Sequence, residues 1–183
     1  MNKLFLIILA IGITASAHAQ KYMTRTGKIT FDATAPKSPE QIDAVNNEVA
    51  AILSAADGKL VFQVPVRSFK FQRDLMQQHF NENYMESDKY PKAEFKGGIE
   101  GKDAGIASTP GSHNVTVNGK LTIHGVTKDV SVPGKITVGN KKVKLEATFA
   151  VKLEDYGISI PNLVADKVGK EAKITVNSEL TGK

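Results

Sequence analysis

Residues 143–153, with the sequence VKLEATFAVKL, alternate between apolar side chains and side chains that are polar or small. The apolar positions are Val143, Leu145, Ala147, Phe149, Val151 and Leu153. Because successive side chains of a β-strand point to opposite faces, the pattern predicts a strand with one buried face and one solvated face. At about 3.3 Å per residue this strand spans roughly 35 Å, which is longer than a typical sandwich strand.

The rest of the chain has the same period of two. Val126, Val130, Val132, Ile136 and Val138 form an apolar row that ends at Gly139-Asn140, a pair typical of a tight hairpin. Further alternating rows lie within residues 28–33, 60–66, 94–99, 115–123 and 174–180. About eight such strands predict an all-β, antiparallel barrel or a sandwich. The long strands and Gly119, a mid-strand glycine that suits a sharp bend, favour the barrel.

Two segments have helical spacing. Residues 71–81 place Leu75, Met76, His79 and Phe80 on one face, which predicts a short helix. Residues 38–53 begin with a helix-start pattern, Ser-Pro-Glu-Gln, and continue with apolar residues at helical spacing. Yet Val49, Ala51 and Leu53 also alternate before a predicted turn at 56–58, so local sequence leaves helix and strand both open for 45–53.

The first nineteen residues have the features of a secretory signal peptide. Lys3 precedes an apolar run over residues 4–13, and Ala17-His18-Ala19 forms a small-residue cleavage motif. We therefore predict a signal peptide over residues 1–19, cleavage before Gln20 and one exported domain over residues 20–183. The expected location is the periplasm or the extracellular space.

Charge and composition exclude several classes of protein. The chain of 183 residues has no cysteine, which excludes disulfides, thiolate metal sites and a cysteine nucleophile. Its formal charge is +5, and +4 once Lys3 is removed with the signal peptide. These charges are interspersed along the chain, so a nucleic-acid partner is not expected, whereas the positive excess is compatible with peripheral contact with an anionic membrane surface.

Two stretches resemble a known family. Residues 79–91 (HFNENYMESDKYP), followed by 93–97 (AEFKG), and residues 119–128 (GKLTIHGVTK) are similar to the YceI-like family of exported bacterial proteins. The resemblance implies a lipocalin-like barrel of eight antiparallel strands that binds an isoprenoid or another amphiphilic lipid along its bore. It also implies a strand over residues 47–53, leaving only a short helical turn near residues 39–44.

Inward-facing apolar rows, together with the helix at 71–81 as a cap over one end, then define the candidate lipid contacts. They are Phe62, Phe71, Leu75, Met76, Phe80, Phe95, Ile123, Phe149 and Leu153. An apolar bore suits a hydrocarbon chain because its burial is favourable without directional partners. The alternative is a solid barrel, filled by Phe31, Phe62, Phe95 and Phe149, that acts as a scaffold or stress-response interaction module.

Catalysis and metal binding have little support in the sequence. His79, His113 and His124 show no zinc-binding spacing, and the chain has no nucleophile-elbow motif. His79 is expected to pack against the apolar side of its helix, and His124 is expected to lie in a turn before Gly125. We predict no catalytic residue, no metal and no cofactor.

A hydrolase or isomerase that uses His79 or Asp88 is the remaining enzymatic hypothesis. The carboxylates Glu82 and Asp88 are instead expected to lie in a solvated loop and to pair with Lys89 or Arg73. The sequence does not indicate an oligomeric state.

Overall fold

The structure is a computed structural model that describes residues 20–182, apart from the side chains of residues 101–104. The predicted signal peptide, residues 1–19, lies outside the described residues. The nine strands are β1 (Lys21–Thr34), β2 (Asp43–Ser54), β3 (Lys59–Pro65), β4 (Lys70–Phe71), β5 (Lys92–Ile99), β6 (Gly111–Ile123), β7 (Val126–Gly139), β8 (Lys142–Lys152) and β9 (Val168–Gly182). One α-helix, α1, covers Asp74–His79.

Eight of these strands close into an antiparallel barrel. Around the ring the order is β1, β9, β8, β7, β6, β5, β3 and β2, and β2 pairs with β1 to complete it. The two-residue β4 lies outside the ring and pairs with β2. The prediction of an all-β, antiparallel barrel with a short helix is confirmed, and the sandwich alternative is wrong.

Residues 43–54 form a strand, as the resemblance implied, and the helical alternative is wrong. The helical turn expected at residues 39–44 is also wrong, because residues 39–40 form a bend and β2 begins at Asp43. The Ser38 hydroxyl accepts a hydrogen bond from the Glu40 N–H and donates one to the Glu40 carbonyl. The expected helix cap therefore stabilises a local bend, and pairing with β1 and β3 makes the next segment a strand.

The predicted helix at 71–81 is shorter and shifted. Residues Lys70–Phe71 form β4, α1 begins at Asp74, and a π-helical turn over Phe80–Tyr84 comes after it. The hairpin expected at Gly139-Asn140 is present, but its turn lies one residue later, because Gly139 pairs with Lys142 and the positive φ of 56° belongs to Lys141.

The two ends of the barrel differ. The end that carries the β2–β3 and β7–β8 turns, here called the closed end, is packed with fully buried Leu53, Ile136, Val143 and Leu180. A 3-10 segment over Gly101–Ser108 covers it, with Ala107 fully buried and the Ser108 hydroxyl bonded to the Ala55 carbonyl. The opposite end, here called the open end, carries α1, the β6–β7 turn and residues 153–167.

Candidate functional site

An apolar cavity of about 490 Å³ occupies the barrel toward the open end. Seven barrel strands contribute apolar side chains to its wall, among them Ile29, Leu60, Ala93, Leu121, Val132, Val151 and Ile174. This volume lies within the range of about 300–1,000 Å³ typical of small-molecule sites. The four phenylalanines expected to fill a solid barrel, Phe31, Phe62, Phe95 and Phe149, lie on the wall of the cavity instead.

All nine predicted contact residues border this cavity. They are Phe62, Phe71, Leu75, Met76, Phe80, Phe95, Ile123, Phe149 and Leu153. Phe62 and Leu153 are buried, whereas Leu75 on α1 is 62% exposed and reaches the outside of the molecule. The structure therefore brings the predicted residues together around one space, and whether they bind a ligand stays a prediction.

Four aromatic rings fix the position of α1 over the cavity. Phe80 comes directly after α1, and its ring centroid lies 4.9 Å from that of Phe71 and 5.6 Å from those of Phe31 and Phe69. All five contacts among these rings are edge to face or tilted, an arrangement that stabilises aromatic clusters. The helix thus covers the open end because the phenylalanine that follows it is anchored among three rings from the barrel side.

A cluster of three charged side chains borders the cavity at the open end. Glu40 forms an ion pair with Arg73, which precedes α1, and its other oxygen lies 3.4 Å from Nζ of Lys167. Glu40 thus links the loop between β1 and β2 to the residue before α1 and to the loop before β9. This cluster was missed in the sequence, where its members lie more than thirty residues apart and form no local motif.

Glu82 and Asp88 do not pair with Lys89 or Arg73, so that prediction is wrong. Asp88 pairs with Arg67, and Glu82 accepts hydrogen bonds from Gln78 on the preceding helical turn. Arg73 is held by Glu40 instead of by either of them. Arg67 is the nearer partner because the Arg67 guanidinium also donates to the Ser87 hydroxyl, next to Asp88.

The histidines differ in their surroundings. His79 is exposed and borders the cavity on α1, so the expected packing role does not describe it. His124 lies in the β6–β7 turn with φ of 50°; its Nε2 is 2.8 Å from a Glu86 oxygen and its Nδ1 is 3.2 Å from the Tyr156 carbonyl. Among the side chains that the structure describes, no group of three or more His, Asp or Glu residues could hold a metal ion.

Two glutamates of the barrel wall, Glu94 and Glu146, have lowered pKa values. Hydrogen bonds from Lys92 and Lys96 lower the pKa of Glu94 to about 2. A hydrogen bond from Lys144 is the main cause that lowers the pKa of Glu146, and the charge of Lys135 adds to it. Both carboxylates are therefore ionised at neutral pH, and their charges are balanced by lysines on the outside of the barrel.

A family model described as the YceI-like domain matches residues 14–180 of this chain. The chain belongs to the YceI-like family. A UPF0312 protein of Pseudomonas putida (strain W619) is 29% identical over 98 residues, which are 50% of this YceI-like chain and 47% of the relative. The YceI-like chain therefore spans about half the length of that curated relative in the match.

Solved structures share the fold of this YceI-like protein. A polyisoprenoid binding domain from Saccharophagus degradans superposes with a TM-score of 0.76 at 15% identity, over 90% of this chain and 99% of the other. BcnA of Burkholderia cenocepacia gives a TM-score of 0.68 at 17% identity, over 84% and 95%. The YCEI protein of Campylobacter jejuni gives 0.57 at 16% identity, over 100% and 94%.

No helix in residues 20–182 of the YceI-like protein is both long and apolar enough to cross a membrane.

Proposed function

We propose that this YceI-like protein binds an isoprenoid or a similar amphiphilic lipid in its cavity. The observation that carries the proposal is the cavity of about 490 Å³ with an almost entirely apolar wall. The name of the Saccharophagus degradans domain, which shares the fold, supports the same ligand class. The apolar chain would contact the nine predicted residues, and the polar end would lie near Glu40, Arg73 and Lys167 at the open end.

The energetics of such a site favour hydrocarbon. Burial of apolar surface contributes about 25 cal/mol per Å², so each 100 Å² of lipid chain placed in the cavity contributes about 2.5 kcal/mol. The wall offers this contact from phenylalanine, leucine, isoleucine and valine side chains, which need no directional partner. Arg73 and Lys167 can donate hydrogen bonds to an oxygen-rich end group, which would orient the lipid in the bore.

We also propose that the protein is exported and exchanges its lipid with a membrane surface. The predicted signal peptide at residues 1–19 supports export. The exposed leucines support membrane contact: Leu75 on α1 is 62% exposed and Leu163 is 91% exposed, and each lies close in sequence to a cation at the open end, Arg73 or Lys167. Leucines flanked by cations suit the boundary between headgroups and acyl chains.

Native mass spectrometry of the protein purified from its own host tests the binding proposal. We expect a co-purifying lipid, and added polyprenol should bind when that lipid is removed. Consistent absence of both would contradict the proposal. Phe149→Gln, which places an amide on the cavity wall, should weaken polyprenol binding about tenfold because a buried amide without a partner costs about 1–3 kcal/mol.

Ala150→Gln is the matched control for this experiment. Ala150 is next to Phe149 on β8 and is exposed on the outer face of the barrel. The same amide at this position should leave polyprenol binding unchanged. Equal loss of binding in both variants would mean that the effect comes from β8 as a whole and not from the cavity.

A scaffold without a ligand is the second candidate that the sequence left open. It predicts a bore filled by phenylalanines, whereas those side chains surround an unfilled space. The interior therefore favours a binding protein over a solid scaffold.

A further inference from the structure

The wall of the barrel is interrupted between β7 and β8. The two strands pair only from Gly134↔Ala147 to Gly139↔Lys142, near the closed end. Residues 126–133 of β7 pair with β6, and residues 148–152 of β8 pair with β9. In this described part of the chain no ladder pair joins those two segments, so a gap runs from Gly134 toward the open end.

Local chemistry accounts for the point at which the pairing stops. Pro133 directly precedes the last paired residue of β7 and has no N–H with which to extend a ladder. At Gly134 an added Cβ would lie 3.0 Å from the Glu146 carbonyl oxygen, so the two strands still approach closely at this last pair. The five residues of β8 beyond this point, 148–152, correspond to a gap about 17 Å long at about 3.3 Å per residue.

The cavity and a hollow on the outer surface share wall residues where this gap begins. A second, shallower hollow on the outside is bordered by Asn114, Thr116, Pro133 and Thr148, among others. Five residues border both spaces, namely Val115, Gly134, Lys135, Glu146 and Ala147. Beyond them, Val130, Val132, Phe149 and Val151 border the cavity on the two sides of the gap. The edges of the gap are therefore apolar on the inside.

At the open end of the barrel, the β6–β7 turn closes the gap through contacts with the residues that follow β8. His124 in that turn contacts the Tyr156 carbonyl, which lies just after β8, and also contacts Glu86. The ring of Tyr90 packs edge to face on His124 at 4.7 Å between centroids. These side-chain contacts, and not a strand ladder, join β7 to the end of β8.

Both ends of the barrel carry a cover of packed side chains. The closed end is packed with fully buried side chains, and α1 is anchored over the open end by Phe80 among three rings. Opening the open end would disrupt that aromatic cluster. Separating β7 from β8 breaks no backbone ladder, because none exists beyond Gly134.

We infer that the β7–β8 gap is the route by which the apolar chain of the lipid enters and leaves the cavity, and that His124 holds this route closed. The inference rests on the proposed function, since it assigns a path to the same ligand. His124 acts here as a positioning residue, because it holds the turn and does not border the cavity.

A reversible cross-link tests the route. Ser131 and Ala150 are exposed and would be partners if the β7–β8 ladder continued, so Ser131→Cys/Ala150→Cys allows the gap to be bridged from outside. A bismaleimide with a cleavable disulfide would react only at these positions, because the chain has no cysteine. We expect release of radiolabelled polyprenol to phosphatidylcholine vesicles to slow about tenfold, and to recover when the linker is cleaved.

Lys120→Cys/Asp129→Cys is the matched control, because these exposed residues are direct partners in the continuous β6–β7 ladder. Linking this pair should leave release unchanged. If the linked Ser131→Cys/Ala150→Cys variant binds polyprenol and releases it at an unchanged rate, the inferred route is overturned and the proposed function stands. Failure of the unlinked protein to bind polyprenol overturns the proposed function and the route with it.

His124→Asn provides a second measurement. Asparagine tolerates the positive φ at this position but cannot reproduce both contacts of the imidazole. We expect polyprenol release and uptake to accelerate by about the same factor, roughly threefold to tenfold, with the dissociation constant unchanged. A changed dissociation constant with unchanged release would overturn the role assigned to His124.

Discussion

Gly97 on β5 and Gly119 on β6 lie directly opposite each other, and neither position has room for a side chain. A Cβ on Gly119 would lie 2.5 Å from the Lys96 carbonyl oxygen and 2.6 Å from the Gly97 Cα. A Cβ on Gly97 would lie 2.1 Å from the Asn118 carbonyl oxygen. The paired glycines therefore allow the backbones of β5 and β6 to approach closely where the barrel wall curves.

Gly119→Ala should destabilise the barrel because backbone atoms, which cannot move aside like a flexible side chain, occupy the space of the new methyl group. We expect the free energy of unfolding to fall by about 1–3 kcal/mol in denaturant titrations. Gly105→Ala is the control, since nothing lies within 4 Å of a Cβ there. Equal stability of the two variants would contradict this account of the glycine pair.

Phe80→Ala should release α1 from the open end. The Phe80 ring is buried and contacts Phe31, Phe69 and Phe71, so we expect a loss of about 3–5 kcal/mol in the free energy of unfolding. Leu75→Ala on the same helix removes a mainly exposed side chain and should change stability by less than about 0.5 kcal/mol. Chemical denaturation of both variants measures the difference, and a small loss for Phe80→Ala would show that the ring cluster does not anchor α1.

Leu75→Ser combined with Leu163→Ser should slow lipid transfer from vesicles. The two exposed leucines are expected to insert at the membrane boundary, so their loss should reduce the transfer rate about tenfold at unchanged stability. Ile52→Ser is a suitable control, because Ile52 is 44% exposed but lies on β2 next to the β2–β3 turn, at the closed end. Equal slowing by the control would mean that general surface hydrophobicity governs transfer.

Acid should weaken the fold in part through Glu94. Its pKa is lowered from 4.5 to about 2 in the folded protein, so the ionised carboxylate stabilises the fold above about pH 4.5. That contribution disappears as the pH falls from about 4.5 toward 2. Because the paired lysines are exposed, we expect about 1 kcal/mol.

Glu94→Gln measures this contribution when the free energy of unfolding is compared at about pH 7 and about pH 3. The substitution should destabilise the protein at the higher pH and have a clearly smaller effect at the lower one, where part of the contribution has been lost. A difference between the variant and the natural protein that is the same at both pH values would contradict the assignment to ionisation of Glu94.

The alternating rows predicted the barrel because each strand buries one face, and this burial is visible in the sequence as apolar residues at every second position. For residues 45–53 both periods were present, and the strand prevailed because β2 pairs with β1 along one edge and, over residues 50–53, with β3 on the other. The helix was predicted too early because Phe71 has helical spacing from Leu75, while β2 recruits Lys70 and Phe71 into a ladder.

Five of the nine predicted cavity residues could be derived from the rows, since alternate residues of one strand must face the same side. They are Phe62, Phe95, Ile123, Phe149 and Leu153, and the other four followed from placing the predicted helix over one end. The Glu40 cluster and the β7–β8 gap could not, because both depend on which distant segments meet. The residues of β7 and β8 that diverge have the same alternating pattern as those that pair.

The pairing of β1 with both β2 and β9 has a consequence for the order of folding. β1 is the first strand of the domain and β9 is the last, so the ring cannot close until the C-terminal residues are available. Barrels closed by such distant strands fold slowly compared with proteins built from local contacts. A chain that remains unclosed until it is complete can be threaded through a narrow channel as an extended polypeptide and fold on the far side.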